Sequence, residues 1–253
     1  MQIDLRGKVA VVTGGSGELG RVMARTLAGC GADIALTYLK NREMAEEVRA
    51  QCEKLGVRAI AVQADVTECA SVQALQKEVT AKIGDAHIIV NNAVIQYKWL
   101  AVLEQNPEDF ESQFRSCVLH NLHMAQAFVP GMVKRNSGRI VAISTECAMQ
   151  NAPSQGAYVS GKRGMDGLLR VLAREVGSHQ ITVNQVAPGW TVSERDRSAG
   201  TEQNENYAKN VPLKRRGTDQ EIANVVAFLA SDLASFVTGV YIPVSGGSVM
   251  PGI

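Results

Sequence analysis

The sequence predicts a doubly wound α/β fold, with one parallel sheet of seven strands and helices on both faces. Two observations carry that prediction. Short β-branched runs alternate with longer helical patterns along nearly the whole chain of 253 residues. Such alternation folds through right-handed crossovers into a parallel sheet. Several of the runs are also apolar throughout rather than every second residue, as befits strands buried on both faces.

Taken in order, the strand candidates are KVAVVT (8–13), DIALTY (33–38), RAIAVQ (58–63), AHIIVN (86–91), GRIVAIS (138–144), ITVNQV (181–186) and GVYIPV (239–244). Helical patterns fill the gaps at 19–29, 42–55, 68–83, 108–134, 158–177 and 219–230. The fourth of these opens on PEDF (107–110), with proline and acids in the first turn, a sound helix start. The stretch 190–216 is polar, lacks strong periodicity and is too long for a plain connector, so a lid over a site is expected there. No internal repeat or low-complexity segment appears, and 1–253 reads as a single domain.

Composition removes several classes of function. With 26 basic and 25 acidic residues the net charge is +1, which offers no field to nucleic acid or an anionic membrane. No stretch approaches the ~20 apolar residues that span a bilayer, and the N-terminal apolar run is too short for a signal-peptide core. Five cysteines, with no C-x-x-C pair, argue against a disulfide framework or a zinc ribbon. Cys117, His120 and His123 lack a recognisable ligand spacing, so no metal is expected. The expectation is a soluble cytoplasmic protein without nucleic-acid or membrane partners.

Chemistry enters with TGGSGELG (13–20), which joins the first strand to the first helix. Glycines there let the backbone turn sharply and approach a pyrophosphate at the helix N-terminus. In AYVSGK (157–162), Tyr158 and Lys162 lie four apart and share a helix face. DV (65–66), NNA (91–93) and PG (188–189) each follow a strand, at the carboxyl ends where open α/β sheets bind ligands.

On these motifs the chain resembles the short-chain dehydrogenase/reductase family, in its simple single-domain branch, over residues 5 to about 248. The matched residues are T-G-x-x-G-x-x-G at 13–20, Asp65, Asn91-Asn92-Ala93, Tyr158-x-x-x-Lys162, Pro188-Gly189 and TG…V-x-G-G at 238–247. The resemblance implies a Rossmann-type dinucleotide-binding catalytic domain that interconverts a secondary alcohol and a ketone by hydride transfer, similar to 3-oxoacyl reductases and sugar or polyol dehydrogenases. It implies that Gly14, Gly17 and Gly20, with Ser16 and Leu19 of the same loop, cradle the cofactor phosphates. Asp65 and Val66 would hold the adenine, Asn92 and Ala93 would lie beside the ribose, and Pro188, Gly189 and Thr191 would complete the cofactor site. Tyr158 would be the general acid/base. Lys162 would bind the nicotinamide ribose and lower the tyrosine pKa. Thr145, thirteen residues before Tyr158, would bind the substrate oxygen. A homotetramer or homodimer is also implied, with His123 at a helix–helix subunit interface. A free phenol has a pKa of ~10, so a base working near neutrality needs a shift of about three units, roughly 4 kcal/mol.

The pattern is broken in places. Counting seven on from Phe110 and thirteen back from Pro130 puts Cys117 where the family carries a catalytic Asn, and Asn121 lies one turn later. Cys117 and Asn121 are therefore the two relay candidates, and a thiol cannot reproduce an amide's donor and acceptor. Glu18 occupies a usual glycine position, Val94 follows NNA, and Ser245 replaces an aspartate. These departures motivate an alternative, a catalytically weak or inactive NADP(H)-binding redox sensor. At the end of the second strand Tyr38 stands where NAD users place an acid, and Lys40 and Arg42 follow. That charge favours NADP(H), with NAD(H) second. Gln96, Gln150 and Trp190 are the substrate-side candidates, accompanied by Tyr97, Trp99, Arg195 and Arg197, and they suit a polar small carbonyl or alcohol.

Overall fold

In the computed structural model, which describes residues 2–252, each of the seven apolar runs becomes a strand. They are β1 (Val9–Val12), β2 (Asp33–Tyr38), β3 (Ala59–Gln63), β4 (Ile88–Asn91), β5 (Gly138–Ile143), β6 (Ile181–Pro188) and, after two short strands, β9 (Tyr241–Val244). The short strands β7 (Thr191–Val192) and β8 (Gly217–Thr218) pair only with each other. The main sheet is parallel throughout, in the order β3-β2-β1-β4-β5-β6-β9. The chain runs outward from β1 to β3 and then crosses back to β4, so a crevice opens between the ends of β1 and β4.

Alternation along β1 explains both layers. Ala10 and Val12 face one side, with Met23 and Leu27 of α1 (Glu18–Gly29), Val48 of α2 (Arg42–Glu53), and Ile222 and Val226 of α10 (Asp219–Ala230). Val9 and Val11 face the other, with Leu75 of α3 (Cys69–Ile83), Met124 and Phe128 of α5 (His120–Arg135), and Met165 and Leu169 of α7 (Gly156–Val176). A fully buried Leu or Met in these layers contributes about 1.5–3 kcal/mol relative to exposure.

Two sequence expectations are altered. The single helix expected over 108–134 is α4 (Pro107–Gln113), then a π-helical turn at Phe114–Leu119, then α5. In that wider turn the N–H of His120 donates to the Arg115 carbonyl, five residues back. The carbonyl of Ser116 instead meets the His120 ring, and that of Cys117 accepts from the Asn121 amide. The second alteration lies in the stretch read as irregular. It holds α8 (Glu194–Ala199) and α9 (Glu205–Asn210), each too short to show a periodicity. Side chains start both: Ser193 and Asp196 form a reciprocal capping box, and Asn204 accepts the Tyr207 N–H. The short α6 (Cys147–Gln150) completes the helices up to α10. No helix among the described residues is long and apolar enough to cross a membrane.

Arg216 organises the 191–216 segment. Its guanidinium, 3% exposed, donates to the carbonyls of Thr191 and Thr201 at 2.9 Å and to the Asp196 carboxylate at 3.1 Å. Glu194 ties the same segment to α1 through Arg21 and Arg25. Arg216→Met leaves those acceptors without their shared donor. Limited proteolysis should then cut within 191–216 at least about tenfold faster, while amide exchange in the main sheet stays unchanged, because buried networks fail locally when their central ion is removed.

Candidate active site

Thr13 sits at the crevice, fully buried at the end of β1. Its hydroxyl accepts the N–H groups of Asn92 (2.8 Å) and Ala93 (3.1 Å), and the Asn92 amide returns a hydrogen bond to the Thr13 carbonyl (2.9 Å). The following loop is closed tightly. Gly14 has φ +63°, and a Cβ on Gly20 would run into the Gly14 carbonyl oxygen. No side chain caps α1 at Gly17, which leaves its first-turn N–H groups to an anion. The residues present fit a dinucleotide pyrophosphate. Glu18 in that first turn is paired with Arg21, which also binds Glu194 at 3.1 Å.

Along the adenosine side, Tyr38 is buried at the end of β2, and Lys40 and Arg42 are exposed just beyond it. One oxygen of Asp65 accepts both the N–H and the hydroxyl of Thr67, at 2.9 and 2.7 Å. Val66 is buried, and its carbonyl faces Nδ1 of His123 at 3.4 Å. His123 is thus engaged within its own chain, bridging α5 to the loop after β3.

The second cluster lies on the other side of β4. The four-residue spacing on α7 brings Lys162 Nζ to 5.7 Å from the centre of the Tyr158 ring. Lys162 is 4% exposed, and its ammonium donates to the Ile143 carbonyl at 2.6 Å. Trp99 stacks on Tyr158 at 6.0 Å, and the Tyr97 hydroxyl accepts the Tyr158 N–H at 2.8 Å, serving an α7 terminus that has no side-chain cap. Thr145 is buried beside them and accepts the Cys147 N–H at 3.2 Å. Burial pushes the Tyr158 phenol above its ordinary value, Cys117 and Cys147 add to that, and the Thr145 hydroxyl pulls it down. The expected lowering is therefore not a property of the cofactor-free site, where desolvation of the phenolate outweighs its surroundings. At neutral pH Tyr158 carries its proton.

Of the relay candidates, Cys117 is 1% exposed and close enough to act on Tyr158. Asn121 is held in place elsewhere: its oxygen accepts from Asn91 and its NH2 donates to the Cys117 carbonyl, both at 2.7 Å. Between them stands His120, which the sequence reading noted only for its metal-ligand spacing. It is 1% exposed, and burial lowers its pKa to about 3, with Lys162 and His123 pushing the same way. All five cysteines are free, and burial raises the Cys147 thiol, away from thiolate reactivity. Among the described residues, no group of three or more His, Cys, Asp and Glu side chains is placed to hold a metal.

The substrate-side candidates are dispersed. Gln96 is exposed, Gln150 donates to Ser248 at 3.0 Å, and Trp190 is half exposed with its edge against Tyr207 and Arg216 over its face. Pro188 ends β6 and Gly189 follows it, its carbonyl accepting the Thr191 hydroxyl at 2.9 Å. Sequence reasoning missed Glu146, a 4% exposed carboxylate next to Thr145. It accepts the Tyr207 hydroxyl at 3.0 Å, and that hydroxyl in turn accepts the Trp190 N–H at 2.9 Å. No local pattern marks a contact spanning sixty residues. A cavity of about 720 Å³ lies along the 191–216 segment, lined by Val192, Asn204, Arg215 and Glu221, away from Tyr158.

A family model described as enoyl-(acyl carrier protein) reductase matches residues 16–248. The chain belongs to the short-chain dehydrogenase/reductase family. Among family members similar to it is the 3-oxoacyl-[acyl-carrier-protein] reductase FabG of Staphylococcus aureus, 37% identical over 96% of this chain and 98% of that protein. FabG of Escherichia coli is 34% identical over 98% of this chain and 100% of its own length. Among solved structures, an NAD+-bound xylitol dehydrogenase superposes with a TM-score of 0.89 at 30% identity, covering 96% of this chain and 99% of that one. The acetoin dehydrogenase YohF of Salmonella typhimurium does so with 0.85 at 29%, covering 95% and 96%. The short-chain dehydrogenase/reductase fold therefore extends over the whole described sheet, from β1 to β9.

Two outcomes follow from this geometry. Gly20→Ala should weaken dinucleotide binding at least about tenfold in a fluorescence titration, because its Cβ and the Gly14 carbonyl cannot share the same space. His120 takes up a proton in the unfolded chain near pH 6.5 but in the folded one only near 3. Its contribution to stability is complete above pH 6.5 and is lost as pH falls towards 3. Urea unfolding should show the wild type losing about 2 kcal/mol more than His120→Gln between about pH 7 and pH 5.

Proposed function

We propose that this oxidoreductase reduces a ketone on a small polar substrate to a secondary alcohol with NADPH, and runs the reverse reaction with NADP+. The observation that carries the reading is the buried cluster of Tyr158, Lys162 and Thr145, with the phenol held protonated. When bound, the dinucleotide supplies or accepts the hydride. Gly14, Gly17 and Gly20 hold its phosphates through the open α1 terminus, with Ser16 and Leu19 in the same turn. Asp65 and Val66 hold its adenine, and Asn92, Ala93, Pro188, Gly189 and Thr191 line the rest of its path.

Thr145 orients the substrate oxygen. Tyr158 donates the phenolic proton to that oxygen as negative charge develops on it. Lys162 stabilises the phenolate that remains. General acid catalysis of this kind contributes about 10²–10⁴ in rate. In the oxidative direction the raised phenol is a poor base, so activity should rise with pH.

Lys40 and Arg42, exposed past a β2 end that carries no acid, support NADP(H) over NAD(H). NAD(H) stands second, and the similar xylitol dehydrogenase was solved with NAD+ bound. The names of the relatives support either a 3-oxoacyl group or a polyol-type ketone as substrate. The 190–216 segment, joined to Glu146 through Tyr207, serves as the lid over that substrate.

The test is NADPH oxidation by purified protein over a panel of 3-oxoacyl esters, keto sugars and diketones. Turnover should fall by about 10²–10⁴ in Tyr158→Phe, and NADPH should bind more tightly than NADH. Tight cofactor binding with no turnover of any carbonyl, or a Tyr158→Phe enzyme as fast as the wild type, would overturn the reading.

A further inference from the structure

His120 is a fully buried imidazole with one nitrogen unaccounted for. Its Nδ1 lies 3.2 Å from the Ser116 carbonyl, which can only accept, so Nδ1 carries the proton. That carbonyl is turned towards the ring because the π-helical turn sends the His120 N–H to Arg115 instead. With burial and a neighbouring ammonium keeping the ring neutral, Nε2 is left as a bare lone pair. Nε2 has no hydrogen-bond partner among the described residues, and the Ala93 carbonyl also acts on the ring. A bare acceptor in a dry interior needs a donor.

Lys162 is a donor with capacity to spare that acts on this ring. Its ammonium has three N–H groups, one of which is taken by Ile143. The charged and titratable neighbours acting on His120 are Lys162 from α7 and His123 from its own helix. His123 is turned to the Val66 carbonyl. Asn121, the second relay candidate, is bonded to Asn91 and the Cys117 carbonyl.

We infer that His120 is the positioning residue for Lys162: its unprotonated Nε2 accepts a hydrogen bond relayed from the ammonium through one water and fixes Nζ beneath Tyr158. His120 thereby fills the place that Cys117 cannot. No proton is transferred permanently; the ring stays neutral while Lys162 remains charged. The kinetic consequence rests on the proposed reductase function, whereas the placement of His120 does not.

The two can be tested apart. Nitrogen NMR of selectively labelled, cofactor-free protein should show His120 protonated on Nδ1 and bare on Nε2 from about pH 5 to 9. The Nε2 resonance should shift in Lys162→Met. A proton on Nε2, or an Nε2 resonance indifferent to Lys162→Met, overturns the inference whether or not the protein turns over any carbonyl.

In the kinetic arm, His120→Leu should lower kcat about tenfold with the KM for NADPH within about threefold. It should also move the Tyr158 limb of the pH profile upward. The groups that face Tyr158, namely Lys162, Thr145, Cys117, Cys147 and Tyr97, are unaltered by that change. His120→Gln, whose side-chain oxygen reaches the Nε2 position, should restore most of kcat. A folded His120→Leu enzyme with the wild-type kcat and pH profile overturns it as well.

Discussion

The Thr13 hydroxyl accepts two consecutive backbone N–H groups, those of Asn92 and Ala93, across the gap where the strand order reverses. It also donates to the Val90 carbonyl, so all of its hydrogen-bonding capacity is used in the join. Beyond Val12 and Val90 the paired register stops, and Thr13 carries the join onward through its hydroxyl, its N–H to the Val90 carbonyl and its carbonyl to the Asn92 amide. The glycine turn hangs from one side of this join and the loop carrying Tyr97 and Trp99 from the other. A dinucleotide laid along the crevice therefore meets two walls joined at Thr13 and Asn92.

Parallel pairing supplies the second constraint. Because every strand of the main sheet points the same way, Thr145 after β5, Pro188 at the end of β6 and Asn92 after β4 emerge at one edge without further instruction. Half of the twelve buried polar side-chain atoms without partners among the described residues come from β4, the π-helical turn with its flanking residues, and the segment from Thr145 to α7: Asn91 Oδ1, Gln113 Oε1, Ser116 Oγ, His120 Nε2, Glu146 Oε2 and Gln155 Oε1. Such atoms are costly in a core and are normally few.

What was legible in the sequence follows the range of the interactions. Strands and long helices announce themselves through apolar runs and periodicity within a dozen residues, and all seven main strands were found that way. Tyr158 and Lys162 were visible because their spacing is itself a helix-face relation. Glu146 with Tyr207 and Trp99 on Tyr158 join residues sixty apart, which no local pattern encodes. The raised phenol escaped because a motif conveys which groups are neighbours but not how dry the site is. The contact of His123 with the Val66 carbonyl likewise spans 57 residues and left no local trace.

The π-helical turn at Phe114–Leu119 bears on how such a site diverges over generations. Substituting Cys117 changes one side chain and leaves every neighbour in place. Deleting one residue from the turn would restore ordinary winding with the two flanks still in phase, and the backbone ladder would take up the carbonyls of Ser116 and Cys117. His120 and Asn121 would then lose the acceptors that hold their side chains. At this position a change in chain length is a larger evolutionary step than any change of letter, and lineages that differ by one residue here would hold these side chains differently beside the same lysine.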